Sequence, residues 1–164
     1  MGSKKAKTQT APSKPMLRVL AVHRNVAERL EEWSSDLKWS TVATRFTVIL
    51  KAIRAGELEK AQMLLKTMLR YPPIRNGGGV LEYGNVQRGG APRLFILYKL
   101  DSFFFVAAGL EEGSTGCPEI EVARSRGTQL SKLEPQPSVE AYKKALGREY
   151  DVSPIPETGT RETR

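Results

Sequence analysis

Residues 93–113 read RLFILYKLDSFFFVAAGLEEG, and the fold turns on how this stretch is parsed. Two apolar runs of strand-forming residues, Arg93 to Leu100 and Phe103 to Leu110, meet at Asp101-Ser102, so the segment predicts a β-hairpin. With Leu100 opposite Phe103, one face carries Leu94, Ile96, Tyr98 and Leu100 against Phe103, Phe105 and Ala107. The other carries Arg93, Phe95, Leu97 and Lys99 against Phe104, Val106, Ala108 and Leu110. The first face is core. The second is apolar in its middle and cationic at both ends, which suits a sheet surface partly covered and partly offered to a partner.

The 164 residues suit one domain with a single core, flanked by tails. Of the net charge of +8, residues 1–15 supply +4 through Lys4, Lys5, Lys7 and Lys14 with no acid. Residues 134–164 carry five bases and six acids, which leaves 17 bases and 12 acids in residues 16–133. The expected folded part is therefore basic in its own right, which favours polyanionic partners, nucleic acid first among them. A lone cysteine, Cys117, excludes an internal disulfide, and with a single histidine, His23, it falls short of the three or four ligands of an ordinary metal site. Neither a metal nor another cofactor is expected. The N-terminus has no apolar signal core and no run approaches the roughly 20 apolar residues of a membrane span, so a cytoplasmic location is the expectation.

Residues 1–15, MGSKKAKTQTAPSKP, have almost nothing to bury and read as a disordered basic arm, or equally as a solubility tail. Leu17 to Val22 is a strand candidate. Val26, Leu30, Trp33 and Leu37 then fall at i, i+4, i+7 and i+11, predicting a helix over Asn25 to Lys38 capped by Asn25. Val42, Phe46, Ile49 and Ile53 repeat that stripe in a second helix capped by Ser40 and ending near Gly56. Two such helices joined by a short link form an antiparallel hairpin that must bury both stripes. A third helical segment, Glu57 to Arg70, stops at Pro72-Pro73. Ile74 to Gly79 is a glycine-rich turn that matches no phosphate-binding fingerprint, and Val80 to Gln87 is a strand. Pro118 and the acids Glu119 and Glu121 open another helix, Ser138 to Leu146 is a short one, and a polar tail closes the chain.

Chemistry is sparse. His23 has no second histidine to work with and suits a capping role, while Cys117 lacks a partner for nucleophilic catalysis. Glu111 and Glu112 are adjacent and diverge on a strand, so they make no catalytic carboxylate pair. The cations are the distinctive set. Lys66, Arg70, Arg75, Arg88, Arg93 and Lys99 face a single acid, Glu82, with Tyr71, Tyr83 and Tyr98 interleaved. Arginine forks for phosphates and tyrosines for base stacking are the components of an RNA-binding surface, and the same cations can stabilise charge that develops in backbone cleavage. The competing reading is a solvated basic face with core tyrosines.

The order strand, helical hairpin, antiparallel meander, terminal helix, with VLEYGNVQRGGAPRLFILYKLDSFFFVAAG (80–109) and PEIEVARSR (118–126) in the last places, resembles the RelE/ParE toxin superfamily. Within it the chain is similar to the HigB-like, phage Gp49-like branch, over roughly residues 17–126. The resemblance implies a small α+β fold, a sheet of three to four antiparallel strands on an N-terminal helical hairpin, with C-terminal helices. It implies RNA or the ribosome as partner, metal-independent mRNA cleavage, and neutralisation by an antitoxin protein. On that pattern Arg93, Lys99 and Tyr98 are the candidate catalytic groups, and Arg75, Tyr83, Arg88, Arg124 and Arg126 the RNA contacts. Where the family carries a lysine-rich segment, this chain has Leu110-Glu111-Glu112, which repels an RNA backbone. The alternatives are a non-catalytic basic nucleic-acid-binding or phage accessory protein, and a protein-interaction module docking on an exposed strand. The expected organisation is an arm (1–15), one α+β domain (16–133), and a short helix with a polar tail (134–164).

Overall fold

A computed structural model describes residues 17–84, 91–112 and 116–157. The fold is α+β. Strand β1 (Val19–His23) leads into helices α1 (Arg24–Ser34), α2 (Ser40–Arg54) and α3 (Leu58–Lys66). Four strands follow, β2 (Leu69–Arg70), β3 (Leu81–Gly84), β4 (Pro92–Lys99) and β5 (Ser102–Leu110). Helices α4 (Glu119–Leu130) and α5 (Val139–Leu146) and strand β6 (Tyr150–Pro154) complete the chain. Among the described residues the sheet has six strands in the order β2-β3-β4-β5-β1-β6, mixed because β1 runs parallel to β5. This replaces the expected three or four antiparallel strands.

The quoted segment is a hairpin, but its turn lies one residue earlier than expected. Leu100 and Asp101 take φ of 55° and 57°, the two left-handed positions of a type I′ turn, and Lys99 pairs with Ser102 and Tyr98 with Phe103. Leucine is an unusual occupant of that conformation. Ser102, buried beside the turn, accepts a hydrogen bond from the Val19 backbone N–H at 2.9 Å, so it fastens the hairpin to β1. The shift preserves the side-chain parity, and Leu94, Ile96, Phe103 and Phe105 share one core as expected. Past Phe105 the parity inverts. Ile96 pairs with Phe105 and Phe95 with Ala107, so Val106 has no β4 partner and forms a β-bulge. Ala108 consequently joins the first core and Ala107 the second, the reverse of the sequence assignment.

Both faces of the sheet are covered. Val26, Leu30 and Trp33 of α1, Phe46, Ile49 and Ile53 of α2, and Ala61 of α3 pack on Leu20, Leu94, Phe103 and Phe105. On the opposite face Ala123 and Leu130 of α4 and Tyr142 of α5 pack on Val19, Ala21, Phe95, Leu97 and Phe104. The half-open second face expected for the hairpin is therefore a second core, and the protein has three layers. A strand buried on both sides reads as an unbroken apolar run, which is what β5 shows.

Several local expectations shift for identifiable reasons. α1 ends at Ser34 because Asp36 accepts from the Lys38 backbone N–H in a tight turn, leaving Leu37, 98% exposed, outside the stripe. His23, not Asn25, caps α1: its Nδ1 accepts the Asn25 N–H at 3.0 Å. No side-chain cap bond is made at the start of α2, where Ser40 is the first helical residue. The third helix stops at Lys66, and Leu69–Arg70 pair with Tyr83–Gly84 as a short edge strand. Residues 150–157, expected as tail, contribute β6, with Val152 and Ile155 buried and Pro154 on an edge where no ladder donor is required. The glycine-rich turn has a packing role. Gly78 (φ 71°) and Gly77 lie against Gly127 of α4, where a Cβ on Gly127 would overlap the Gly77 carbonyl and come within 2.6 Å of Val80 Cγ2.

Candidate nucleic-acid interface

Arg93 is the best placed of the expected catalytic groups by sequence and the least available in space. It is 4% exposed, and its cross-strand neighbours are Gly84 and Gly109, which add no bulk beside it. Its Nε donates to Glu82 at 2.8 Å, its terminal nitrogen donates to Glu111 at 2.6 Å, and the guanidinium lies 4.1 Å from the centre of the Tyr71 ring. Two carboxylates thus surround one cation. Burial is the largest influence on Glu82 and pushes its carboxyl above the ordinary range, against the pull of Arg93.

Lys99 is equally committed. Its Nζ donates to the carbonyls of Leu130, Ser131 and Leu133 at 2.9, 3.0 and 3.1 Å, at the C-terminus of α4 where free carbonyls and the helix dipole favour a cation. Tyr98 is 54% exposed, with its ring tilted on Phe103 and its hydroxyl donating to Asp101 at 3.1 Å. Arg93 and Lys99 lie six rises apart along extended strand, about 20 Å, so the expected catalytic trio does not converge.

Arg124 donates to the Arg75 carbonyl at 2.9 Å and pairs with Glu121, joining α4 to the glycine-rich loop. Arg126 donates to the Val106 carbonyl at 2.6 Å, where the bulge departs from the β4 ladder, and burial lowers its pKa. The Arg75 side chain is exposed, Tyr83 is 8% exposed, and Arg88 lies outside the described residues. Of the cations singled out on the chain, the structure uses four to hold the fold.

Of the several cations that form no ion pair with a described residue, Arg45, Lys66 and Arg70 are set apart by lining two adjoining clefts. A cleft of about 370 Å³ is lined by Gln62, Leu65 and Lys66 of α3, by Met68, and by Arg70 and Tyr83 on the sheet edge. A second, of about 270 Å³, is lined by Arg45, Ile49, Leu64, Thr67 and Met68. Met68 belongs to both, so they adjoin, and no carboxylate is among the described residues that line either. The local causes are simple. Gln62, Leu65 and Lys66 stand at i, i+3 and i+4 and share one helix face, while Arg70 pairs directly across from Tyr83 and so projects on the same side of the sheet. Thr67 caps the end of α3 by donating its hydroxyl to the Leu64 carbonyl, and the chain turns at once into β2.

Sequence reasoning included Lys66, Arg70 and Tyr83 in its cationic set but missed Arg45, which arrives from another helix and leaves no periodic signal beside the others. It also missed the small cluster at the end of β1, where His23 faces Glu149 at 3.4 Å and Tyr150 edge-on at 4.9 Å between ring centres. Cys117 donates to Glu119 at 3.4 Å, and burial pushes its thiol up to about 12, which leaves it unreactive at neutral pH. Among the described residues no group of three or more His, Cys, Asp or Glu is arranged to hold a metal ion, and no helix is long and apolar enough to cross a membrane. No protein-family model, curated protein or solved structure matches the chain.

Proposed function

We propose that the protein binds RNA through the α3/β2 clefts, aided by the basic arm of residues 1–15, and that it does so without cleaving the strand by Arg93, Lys99 and Tyr98. The observation that carries this reading is the division of the cations. Arg93, Lys99, Arg124 and Arg126 end on carboxylates or carbonyls, whereas Arg45, Lys66 and Arg70 line acid-free clefts with no such partner. An unneutralised cluster beside apolar side chains favours a flexible polyanion with faces to bury. Incubating the purified protein with labelled single-stranded RNA, then measuring both complex formation across a salt series and strand integrity, tests it. Binding that weakens steeply with salt and returns intact RNA is expected; no binding at low salt refutes the reading.

The succession of β1, a helical pair, the antiparallel strands β2 to β5 and helix α4 within residues 19–130 favours a second reading, a HigB/RelE-like toxin acting on the ribosome with an antitoxin as partner, although α3, α5 and β6 are additions to that order. Expression that arrests growth, with fragmented mRNA in the arrested cells, distinguishes it. Arg93→Ala and Lys99→Ala are poor controls for that assay, since both remove fold-holding contacts. Lys66→Ala with Arg70→Ala is the informative pair.

A further inference from the structure

The larger cleft has the parts list of a nucleobase pocket, and we infer that it takes one unstacked base of a single-stranded RNA, an inference that rests on the RNA-binding reading. Its volume of about 370 Å³ falls at the small end of the range for ligand clefts, suited to a single ring system with its sugar and too small for a folded partner element. The walls are unlike those of a purely electrostatic surface. Leu65 and Met68 offer apolar contact, the Met68 thioether being a soft partner for an aromatic ring, and Tyr83 closes the floor as part of the helix-side core.

One group can read a base edge. Gln62 carries an amide with two donors and one acceptor at this cleft, and among the described residues that line it Gln62 is the only uncharged polar side chain besides the tyrosine. Lys66 and Arg70 stand with it and can hold the phosphates on either side of an inserted base, the arginine as a two-pronged fork. Beyond Met68 the second cleft continues the path with Arg45. A duplex cannot use such a pocket, because its bases are stacked and paired inside an A-form helix. An acidic peptide would satisfy the cations but gains nothing from a base-sized apolar slot with an amide at its lip.

The test is fluorescence anisotropy of the full chain with short labelled single-stranded RNAs and with an RNA duplex of the same length. Three variants accompany it: Gln62→Glu, Leu65→Trp, and Gln129→Glu as a control with the same charge change on α4, on the other side of the sheet. Single strands are expected to bind about tenfold tighter than the duplex. Gln62→Glu should weaken single-strand binding about fivefold or more beyond Gln129→Glu, the scale of one lost base contact. Leu65→Trp, which fills the slot, should weaken it without altering the salt slope, and a thermal melt shows whether that variant is folded; Gln62 is exposed, so its variant carries no packing risk. Equal binding of duplex and single strand, with Gln62→Glu indistinguishable from Gln129→Glu, overturns the base pocket and leaves the RNA-binding reading intact. Competition by polyglutamate as strong as by RNA overturns it in favour of an acidic peptide. No binding of any RNA overturns both.

Discussion

Replacing Arg93 by methionine keeps most of the side-chain volume and removes the charge, leaving Glu82 and Glu111 without their shared partner. The two carboxylates are not equivalent. Glu111 is one-third exposed and can recover hydration, whereas the Glu82 side chain is 9% exposed. The loss is therefore dominated by one stranded buried carboxylate, about 3–5 kcal/mol, to which the Tyr71 contact adds about 0.5–2 kcal/mol. For a domain of this size that lowers Tm by about 10–20 °C. The pH dependence supplies an internal check. Glu82 already titrates above its ordinary value of 4.5 because of burial, and losing Arg93 raises it further. A raised carboxyl means that the folded state holds the proton more tightly than the unfolded chain, so the penalty is complete above the folded pKa and shrinks as pH falls through it. Urea denaturation followed by circular dichroism should show a larger deficit at pH 8 than at pH 5, and Glu82→Gln in the Arg93→Met background should restore about half of it. A deficit below about 1 kcal/mol, unchanged by pH, would mean that Arg93 is a free surface cation and that the division of the cations is wrong.

Lys99→Met should cost about 1–2 kcal/mol, seen as a lower urea midpoint, because three carbonyls at the end of α4 lose a charged donor. Gly127→Ala should destabilise by about 1–3 kcal/mol although alanine is the better helix former by about 1 kcal/mol, since its Cβ overlaps the Gly77 carbonyl; a stabilised variant would show that the loop does not press on α4. His23 titrates below its ordinary 6.5, burial being the main cause and Arg126 the next. The unfolded chain therefore protonates first, stability falls as pH drops below 6.5 and through the folded value, and His23→Gln should flatten that part of the pH–stability curve.

The strand-turn-strand character of residues 93–110 was legible because two apolar runs rich in aromatic and β-branched residues flank the polar pair Asp101-Ser102, and the helical stripes of α1 and α2 were legible because their spacing is regular. The turn position was not, since nothing in a leucine announces a left-handed backbone, and Ser102 belongs to the ladder only because it reaches Val19. β6 hides in a polar stretch whose pairing partner lies some 130 residues earlier. For the cations, the fate of each depends on a distant group: Arg93 on Glu111, Lys99 on the end of α4, Arg126 on the bulge carbonyl. Charge counting along the chain finds that the cations exist. Only the fold sorts those that are consumed from those that stay free, and it brings Arg45 beside Lys66 and Arg70.

The sorting is tested most directly by measuring the salt dependence of single-stranded RNA binding for two double variants, Lys66→Ala/Arg70→Ala and Arg124→Ala/Arg75→Ala, at a temperature where both are folded. Each removes two positive charges. The first should lower the slope of log K against log salt by about 1.4, the contribution of two phosphate contacts to a single strand, and the second should leave it unchanged. Equal reductions in both, or none in the first, would contradict the assignment of RNA to the α3/β2 clefts.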